Sequence, residues 1–379
     1  IKELLFADEY FLIKKMADSF EKVVTFKAAG YEDVKIPDVY GLNYGGRINM
    51  HFPSIDMICI EQAKISENSD IIITPKGVAW RKVESSMFSK SNPDDWDLVW
   101  YDENKVRVLK KKKKIHLQGI CFSMLGQFDN LWSHFILQFF PKLVYASEWG
   151  LFNDEITLLL PRYTDQNIID AVHLVIDKYP KINIIYAKEN ISYICEYLYH
   201  INSVETYTAQ TDIQLIYDTI VPKCTIETLK LGIVEPILKM ENKKNFSPKI
   251  YLVRRSDNRN VVNWKEIEKY FEKKGFIMVD GQNYSLSDKI HMFHNAKEIV
   301  GPWSSAFMAT FACSNAKIMT FSNSFRTVET WITGYCDVGK NKFLMITGKD
   351  LINKKNIPHS SFYIPISKID KAYNEFIKE

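Results

Sequence analysis

The pattern of apolar positions divides the chain into a strand-rich beginning and a more regular later part. Residues 1–24 carry apolar side chains at helical spacing, which predicts an N-terminal helix. Residues 55–115 contain short apolar runs that predict strands, such as Asp56-Met-Ile-Cys-Ile and Asp70-Ile-Ile-Ile-Thr. We therefore expect an irregular, β-rich N-terminal lead-in.

From about residue 130 the pattern predicts helices and strands in alternation. A first run predicts helices at 131–147 and 165–179 and strands at 155–160 and 182–186. A second run predicts helices at 264–274, 286–296 and 304–312 and strands at 249–255, 276–279, 298–300 and 317–321. Such alternation is typical of parallel sheets covered by helices.

The polar segment 239–248 ends in proline and separates the two runs, so it is the best candidate for a linker. We predict an α/β protein of two doubly wound domains that face each other. The first domain covers residues 1–245 and includes the β-rich lead-in, and the second covers residues 246–379. A last helical pattern at 366–377 predicts a terminal helix that packs back on the first domain.

Composition limits the classes of partner. Hydrophobic residues make up 46% of the 379 residues, which is enough for the cores of two domains. A formal charge of only +3 argues against a dedicated nucleic-acid-binding protein. The six cysteines are scattered singly, which fits neither a disulfide framework nor a structural zinc site and favours a reducing cytoplasm. The sequence gives no signal for an oligomeric state.

Membrane association is predicted only as a weak surface contact. Apolar runs in the sequence are shorter than the roughly 18–20 residues that a membrane-spanning helix needs. The five lysines from Lys110 to Lys114 predict weak attraction to an anionic membrane surface, and a solvated loop is the alternative reading of this run.

Arginines near the end of one predicted strand indicate an anion site. Arg254 and Arg255 end the strand 249–255, and Arg259 follows shortly after. Successive residues of a strand point to opposite faces, and Arg255 is nearer the carboxyl end, so we favour Arg255 over Arg254 for the crevice. Guanidinium groups match the oxygens of a phosphate. The alternative is an exposed arginine pair on a polar loop.

A second anion-binding feature follows the strand 298–300. The segment Gly301-Pro302-Trp303-Ser304-Ser305-Ala306 leads into a predicted helix, whose first backbone N–H groups are free to bind an anion. Together with the arginines, this segment suggests a phosphorylated ligand, most plausibly a nucleotide. The alternative is a plain serine N-cap, because the segment contains neither glycine-rich phosphate motif.

Two residues around the predicted helix 131–147 are candidates for a general base. Asp129 or Asn130 is predicted to cap this helix, which places His134 one turn inside it. Either His134 or Asp129 could take a proton from an acceptor hydroxyl. For His134 the alternative is a packed histidine without a catalytic role.

Other polar pairs receive structural interpretations. Asp95-Trp-Asp97 resembles the D-x-D of metal-dependent sugar transferases, but it stands in a turn-rich stretch, so we interpret it as a surface loop. Asn263 and Ser285 each precede a predicted helix, and we interpret both as side-chain N-caps.

Two blocks of the sequence resemble the bacterial branch of glycosyltransferase family 61, inverting sugar transferases with two facing Rossmann-like domains of the GT-B type. The block from His134 to Leu143 is similar to the family pattern H-W-L-L-(D/E)-x-L-P-R-L, with Gln138 in place of the acid. The block from Lys249 to Pro302 follows the family's strand-R-R, R-x-x-x-N, G-F, L-S-x-x-(Q/E)-I and V-G-x-H-G-A pieces. Trp303, Ser304 and Ser305 stand where the family has His-Gly-Ala.

This resemblance implies a set of roles. It implies that Arg255 and Arg259 contact the diphosphate of a nucleotide-sugar donor and that His134 lies in the cleft. It also implies that the donor meets the loop Gly301, Pro302, Trp303, Ser304, Ser305 and Ala306. Residues 1–245 would then bind the acceptor, and residues 246–379 would bind the donor.

The function expected from these observations is an inverting hexosyl- or pentosyltransferase. It would move a sugar from a nucleotide sugar to a hydroxyl of an oligosaccharide or polysaccharide acceptor in bacterial surface polysaccharide assembly. We expect no cofactor and no essential metal, because arginines and a helix N-terminus supply positive charge. The expected location is the cytoplasm, with peripheral contact to the inner membrane. The alternatives are a noncatalytic glycan- or nucleotide-binding protein and, ranked last, a phosphotransferase.

Overall fold

A computed structural model describes residues 7–13, 16, 18–42, 45–80, 95, 97–202, 204, 206–207, 219–255, 259–324, 330–352 and 359–378. The chain forms two compact units. The first unit comprises Ile1–Gly30 and His51–Asp212, and the second comprises Tyr31–Met50 and Ile213–Glu379.

Strands dominate the first part of the chain. They are β1 (Ala7–Ile13), β2 (Glu21–Lys27), β3 (Gly30–Ile36), β4 (Gly46–Phe52), β5 (Ile55–Ser66), β6 (Ile71–Thr74), β7 (Gly77–Trp80), β8 (Leu98–Tyr101), β9 (Lys105–Leu109) and β10 (Lys113–Ser123). The next elements are α1 (Trp132–His134), a π-helix (Phe135–Phe139), α2 (Phe140–Glu148), a 3₁₀ helix (Leu151–Asn153), β11 (Ile156–Leu160), α3 (Gln166–Ile176), β12 (Ile182–Tyr186), β13 (Ile191–Ile201), β14 (Thr206–Tyr207) and β15 (Thr219–Ile220).

The remaining elements alternate between helix and strand. They are α4 (Lys223–Leu229), a π-helix (Lys230–Val234), α5 (Glu235–Leu238), β16 (Lys249–Leu252), α6 (Trp264–Lys273), β17 (Ile277–Val279), a 3₁₀ helix (Gly281–Asn283), α7 (Leu286–Asn295), β18 (Glu298–Pro302), a 3₁₀ helix (Ser305–Ala312), β19 (Lys317–Ser322), α8 (Thr330–Gly339), β20 (Lys342–Thr347), β21 (Lys349–Leu351), β22 (Ser361–Tyr363) and α9 (Ile366–Lys378).

The first unit is built on one large mixed sheet of eleven strands. Its order is β12-β11-β10-β13-β5-β6-β7-β1-β9-β8, with β2 paired to β5. Strands β12, β11, β10 and β13 run parallel, whereas β5 lies antiparallel to β13. Strand β11 is buried along its whole length, as expected for a parallel strand covered on both faces.

The N-terminal prediction is wrong in the residues that the structure describes. Residues 7–13 and 21–27 are strands β1 and β2 rather than parts of a helix. Strand β1 pairs antiparallel with β9 and parallel with β7. Because these partners lie far away in the sequence, tertiary pairing overrides the local helical spacing. The predicted β-rich lead-in is confirmed by this sheet.

The second unit contains a five-stranded parallel sheet. Its order is β17-β16-β18-β19-β20, and every neighbouring pair is parallel. A helix connects each strand to the next one in sequence, which gives the α/β alternation predicted for this region. The structure shows a mixed α/β protein.

An aromatic cluster fills the core of the second unit. The ring of Phe271 lies 5.1 Å from Phe276, 5.5 Å from Tyr251, 5.6 Å from Tyr373 and 6.0 Å from Phe321, measured between centroids. Each such pair contributes about 0.5–1.5 kcal/mol beyond the burial of apolar area. Tyr373 belongs to α9, so the helix that we predicted to pack on the first domain adds its buried face to the core of the second unit.

Residues 213–245 lie in the second unit, although the sequence analysis placed the domain boundary at 245. Helix α4 packs on α8, and α5 packs on α7. These apolar contacts join the segment to the unit that follows it. In the described part of the chain, no helix combines the length and the hydropathy needed to span a bilayer.

Candidate active site

In the sheet of the second unit, the order in which the chain adds strands reverses between β16 and β18. From β16 the chain proceeds to β17 on one side, whereas β18 is followed by β19 on the other side. Ligands of open α/β sheets bind outside the carboxyl ends of the strands at such a switch point. Arg254 and Arg255 follow β16, and Gly301 and Pro302 end β18. The two predicted anion-binding segments therefore start at neighbouring strand ends.

Gly301 allows the two strands to approach closely. A Cβ atom added to Gly301 would lie 2.6 Å from the backbone oxygen of Leu252, which is shorter than any normal contact. The glycine is therefore required by the closeness of β16 and β18 at the switch point.

Arg255 is fixed by a carboxylate and a ring. Its Nη1 and Nη2 atoms donate to Glu268 Oε1 and Oε2 at 2.6 and 2.9 Å. Its guanidinium carbon lies 3.9 Å from the ring centroid of Trp264. The Glu268 carboxylate raises the pKa of Arg255 further above its usual range. The side chain is still 47% exposed, so the guanidinium is held in one orientation and remains accessible.

Arg259 follows residues 256–258, which lie outside the described residues. Its φ is +54°, in the left-handed region that non-glycine residues seldom adopt. Its backbone N–H donates to the carbonyl of His359 at 3.0 Å. The side chain is half-buried. Backbone strain of this kind tends to collect at functional sites.

The loop after β18 has a buried half and an open half. Trp303 is 5% exposed, and its ring lies 5.7 Å from Phe307 and 4.9 Å from Trp331. The structure thus gives the Trp303 indole a packing role. Ser305 begins the 3₁₀ helix and is exposed, and the side chain of the preceding Ser304 makes no capping hydrogen bond.

These observations modify the sequence interpretation of the loop. The predicted helix 304–312 is a 3₁₀ helix, and the alternative of a serine side-chain cap is wrong. The first backbone N–H groups of a helix lack partners within it. The open end of the loop therefore presents Ser305 and Ala306, whereas Gly301, Pro302 and Trp303 shape its base.

In the first unit, Asp129 closes a tight turn. The N–H of Gly126 donates to Asp129 Oδ2 at 3.0 Å, and the N–H of Gln127 donates to Asp70 Oδ1 at 3.0 Å. A Cβ atom on Gly126 would lie 2.5 Å from the ring of Phe139, so this position also requires glycine. Helix α1 begins after Leu131 and has no side-chain cap. The prediction that Asp129 or Asn130 caps this helix is therefore wrong.

Burial controls the ionisation of Asp129. The residue is 1% exposed, and burial raises the pKa of its carboxyl to about 7. The hydrogen bond from Gly126 opposes this rise, whereas the nearby carboxylates of Asp70 and Glu67 add to it. A carboxyl group with a pKa near neutral pH has the property that a general base needs.

His134 stands at the junction of α1 and the π-helix. Its Nδ1 atom lies 3.2 Å from Gln138 Oε1, which can only accept, so Nδ1 carries the proton and Nε2 presents the lone pair in the neutral ring. The imidazole also lies 5.0 Å from the ring of Phe128. The π-turn that contains Gln138 precedes Pro141, which cannot donate a helical hydrogen bond. The local geometry orients His134 as a possible proton acceptor through Nε2.

Asp95 and Asp97 are buried, so their interpretation as a surface loop is wrong. They are 4% and 2% exposed. Asp95 accepts from the Ser69 hydroxyl at 2.8 Å and from the backbone N–H of Asp70 at 2.8 Å. Burial, and then the Asp70 carboxylate, raise the pKa of Asp95 to about 6. Asp97 forms an ion pair with Lys111, which gives one member of the lysine run a structural role.

Two further residues of this region were not predicted from the sequence as site residues. Arg162 and Tyr163 directly follow β11, where the carboxyl-end rule for parallel strands could have identified them. The Tyr163 hydroxyl is buried and has no hydrogen-bond partner among the described residues. Burial, followed by the Asp129 carboxylate, raises the pKa of Tyr163 well above its usual value. The acidic and phenolic groups therefore lie close together.

Of the two predicted side-chain caps, only one is confirmed. The Ser285 hydroxyl accepts from the N–H of Asp288 at 3.1 Å and caps α7. Asn263 precedes α6 without capping it, because its side chain instead donates to the carbonyl of Ile364 at 2.8 Å. Within the described ranges, His, Cys, Asp and Glu side chains form no group of three that could hold a metal ion.

Comparison with known proteins identifies a family for the region that contains most of the candidate site residues. The family model described as Glycosyltransferase 61 matches residues 132–319, about half of the chain. The matched region contains His134, Arg255, Arg259 and the loop 301–306, and Asp129 lies just before it. No curated protein gives a significant match. Through this region, the chain belongs to glycosyltransferase family 61.

Proposed function

We propose that the protein is an inverting glycosyltransferase. It transfers a hexosyl or pentosyl group from a nucleotide sugar to a hydroxyl of an oligosaccharide or polysaccharide acceptor. The observation that carries the proposal is that Arg255 and the loop 301–306 stand at the switch point of the parallel sheet, within the region that matches the family.

In this proposal the second unit binds the donor. Arg255 and Arg259 contact the diphosphate, and the first N–H groups of the 3₁₀ helix at Ser305 and Ala306 bind its oxygens. Glu268 holds Arg255 in place through two hydrogen bonds, so the guanidinium loses little freedom when the donor binds. Positive charge from the protein makes a metal ion dispensable.

The first unit supplies the acceptor site and the base. The base, Asp129 or His134, takes the proton of the acceptor hydroxyl as its oxygen attacks the anomeric carbon. The bond from that carbon to the phosphate oxygen breaks, and the nucleoside diphosphate leaves with the electron pair. Attack from the opposite side inverts the anomeric configuration.

The proposed setting is bacterial surface polysaccharide assembly at the cytoplasmic face of the inner membrane. Lys110, Lys112, Lys113 and Lys114 would supply a weak peripheral contact with anionic lipid. Lys111 is not included, because its ammonium group binds the buried Asp97.

The test is an assay of donor turnover against a panel of nucleotide sugars and glycan acceptors. We expect release of nucleoside diphosphate together with a product of inverted anomeric configuration, read by NMR. Arg259→Ala should strongly raise the KM for the donor. Arg107→Ala, at a half-buried arginine of β9 that pairs with Glu9, should not change it. Asp129→Asn and His134→Gln identify the base, because losing it costs about 10²–10⁴-fold in kcat and removes the rise of activity near pH 7.

A noncatalytic nucleotide- or glycan-binding protein is the second candidate. The ion pair between Arg255 and Glu268 and the buried indole of Trp303 favour it, because both reduce what the donor site can offer. Donor binding without release of nucleoside diphosphate, across the whole panel of acceptors, would establish this candidate and overturn the transferase.

A further inference from the structure

A cavity of about 440 Å³ lies in the first unit where β11 and β12 end. Its lining includes Arg162, Tyr163, Thr164, Ile169, His173 and Tyr186. The volume falls in the range of roughly 300–1,000 Å³ that small-molecule sites occupy. Its position beyond the carboxyl ends of two parallel strands is where α/β proteins bind ligands.

The lining combines groups that suit a sugar ring. Tyr186 is 47% exposed and offers an aromatic face on which the C–H face of a pyranose can stack. Tyr163 also lines the cavity, but its hydroxyl oxygen is sealed from solvent, so the residue contributes its other atoms to the wall.

Arg162 adds a positive charge. It is exposed and forms no ion pair within the described part of the chain. Burial, and then the Glu189 carboxylate, raise the pKa of Glu67, and the positive charge of Arg162 partly opposes this rise. The other basic group, His173, is bound to Asp177 at 2.7 Å. One accessible guanidinium fork matches one planar carboxylate.

The cavity is joined to the candidate base by hydrogen bonds. The N–H of Thr164 donates to Asn130 Oδ1 at 2.9 Å, and Asn130 Nδ2 donates to the Thr164 hydroxyl at 3.1 Å. Asn130 Nδ2 also lies 3.4 Å from the carbonyl oxygen of Arg162. Asn130, the residue after Asp129, is therefore hydrogen-bonded to the cavity lining.

We propose that this cavity binds the acceptor and that the acceptor sugar is a uronic acid. Its carboxylate binds Arg162, and its C–H face stacks on Tyr186. The inference rests on the proposed function, because it names the acceptor class of the same reaction. A neutral sugar would leave Arg162 without an anion from the ligand. A phosphorylated sugar offers oxygens that a guanidinium also matches, and it is the competing anion that the test separates from the carboxylate.

The test measures binding of three probes to the whole chain by saturation-transfer NMR: methyl β-glucuronide, methyl β-glucoside and glucose 6-phosphate. We expect millimolar binding of the glucuronide and at least about tenfold weaker binding of the other two, as a charge-assisted hydrogen bond predicts. Arg162→Gln should reduce the affinity for the glucuronide to that for the glucoside. Tyr186→Ala should weaken the binding of both.

Matched controls separate the cavity from general surface effects. Arg107→Gln removes a half-buried arginine of the same unit that pairs with Glu9, and Tyr31→Ala removes an exposed tyrosine outside the cavity, so both should leave binding unchanged. Equal binding of glucuronide and glucoside would overturn the inference. Stronger binding of the phosphate, absence of glucuronide binding, or unchanged affinity in Arg162→Gln or Tyr186→Ala would overturn it as well.

Failure of this inference can be distinguished from failure of the proposed function. Transfer to neutral acceptors, without glucuronide binding, would refute the uronic acid site and leave the transferase intact. Glucuronide binding that depends on Arg162, without turnover of any donor, would support the site and refute the transferase. Asp129→Asn should still bind the glucuronide, because the amide changes the base and not the cavity lining.

Discussion

Replacing Asp129 with asparagine should reverse the usual sign of a substitution in a buried site. Burial raises the pKa of Asp129 from 3.8 to about 7. The folded state therefore holds a proton that the unfolded state has already lost between pH 4 and pH 7. Stability contributed by the protonated group is complete below about pH 4 and is lost as pH rises to about 7. A shift of about three units corresponds to roughly 4 kcal/mol.

The asparagine variant avoids this loss. Its amide oxygen still accepts from the N–H of Gly126, and it carries no charge at any pH. We expect similar stabilities of wild type and variant at about pH 3.5, and an advantage of the variant of roughly 1.6 kcal/mol at pH 5, because the unfolded state has by then lost its proton. At pH 8 the variant should exceed the wild type by an amount on the order of 4 kcal/mol. With a urea m-value of about 2 kcal/mol/M, this difference moves the midpoint by about 2 M.

The assay is urea unfolding at pH 5 and pH 8, followed by tryptophan fluorescence. Asp154→Asn, at an exposed aspartate of the same unit, is the matched control and should show no pH-dependent difference from the wild type. Parallel losses of stability in Asp129→Asn and wild type would refute the raised pKa. Asp129 would then be fully ionised near neutral pH and a weaker candidate for the base.

Two further substitutions test the two units separately. Gly301→Ala places a Cβ atom 2.6 Å from the Leu252 oxygen, so it should lower the free energy of unfolding by about 1–3 kcal/mol and weaken nucleotide binding. In Gly30→Ala, the control, the new Cβ meets no atom within 4 Å, so calorimetry should show unchanged stability. Asp95→Ala leaves the buried N–H of Asp70 without its acceptor, so it should destabilise the protein by about 1–3 kcal/mol at pH 5. The unchanged stability expected of a surface loop would contradict the burial of Asp95.

The regular part of the fold follows from local pattern. The strand at 182–186 coincides with its prediction, and the helices at 264–274 and 286–296 differ from theirs by one residue. In these segments the periodicity of the apolar residues and the buried faces agree. In β1, by contrast, pairing with distant β7 and β9 decides the structure. A local pattern cannot reveal such partners, and the N-terminal helix was therefore predicted wrongly.

The same difference between local pattern and distant partners applies to the candidate site. The sequence identified Asp129 and the loop 301–306 because each stands beside a strand end or a helix start. It could not show that Asp129 is buried beside the carboxylates of Asp70 and Glu67, which come from about sixty residues earlier in the chain. It also could not show that Glu268 binds Arg255. Residue type and position beside an element thus indicate where chemistry is possible. The protonation state that makes a side chain a base depends on partners that only the folded chain brings to it.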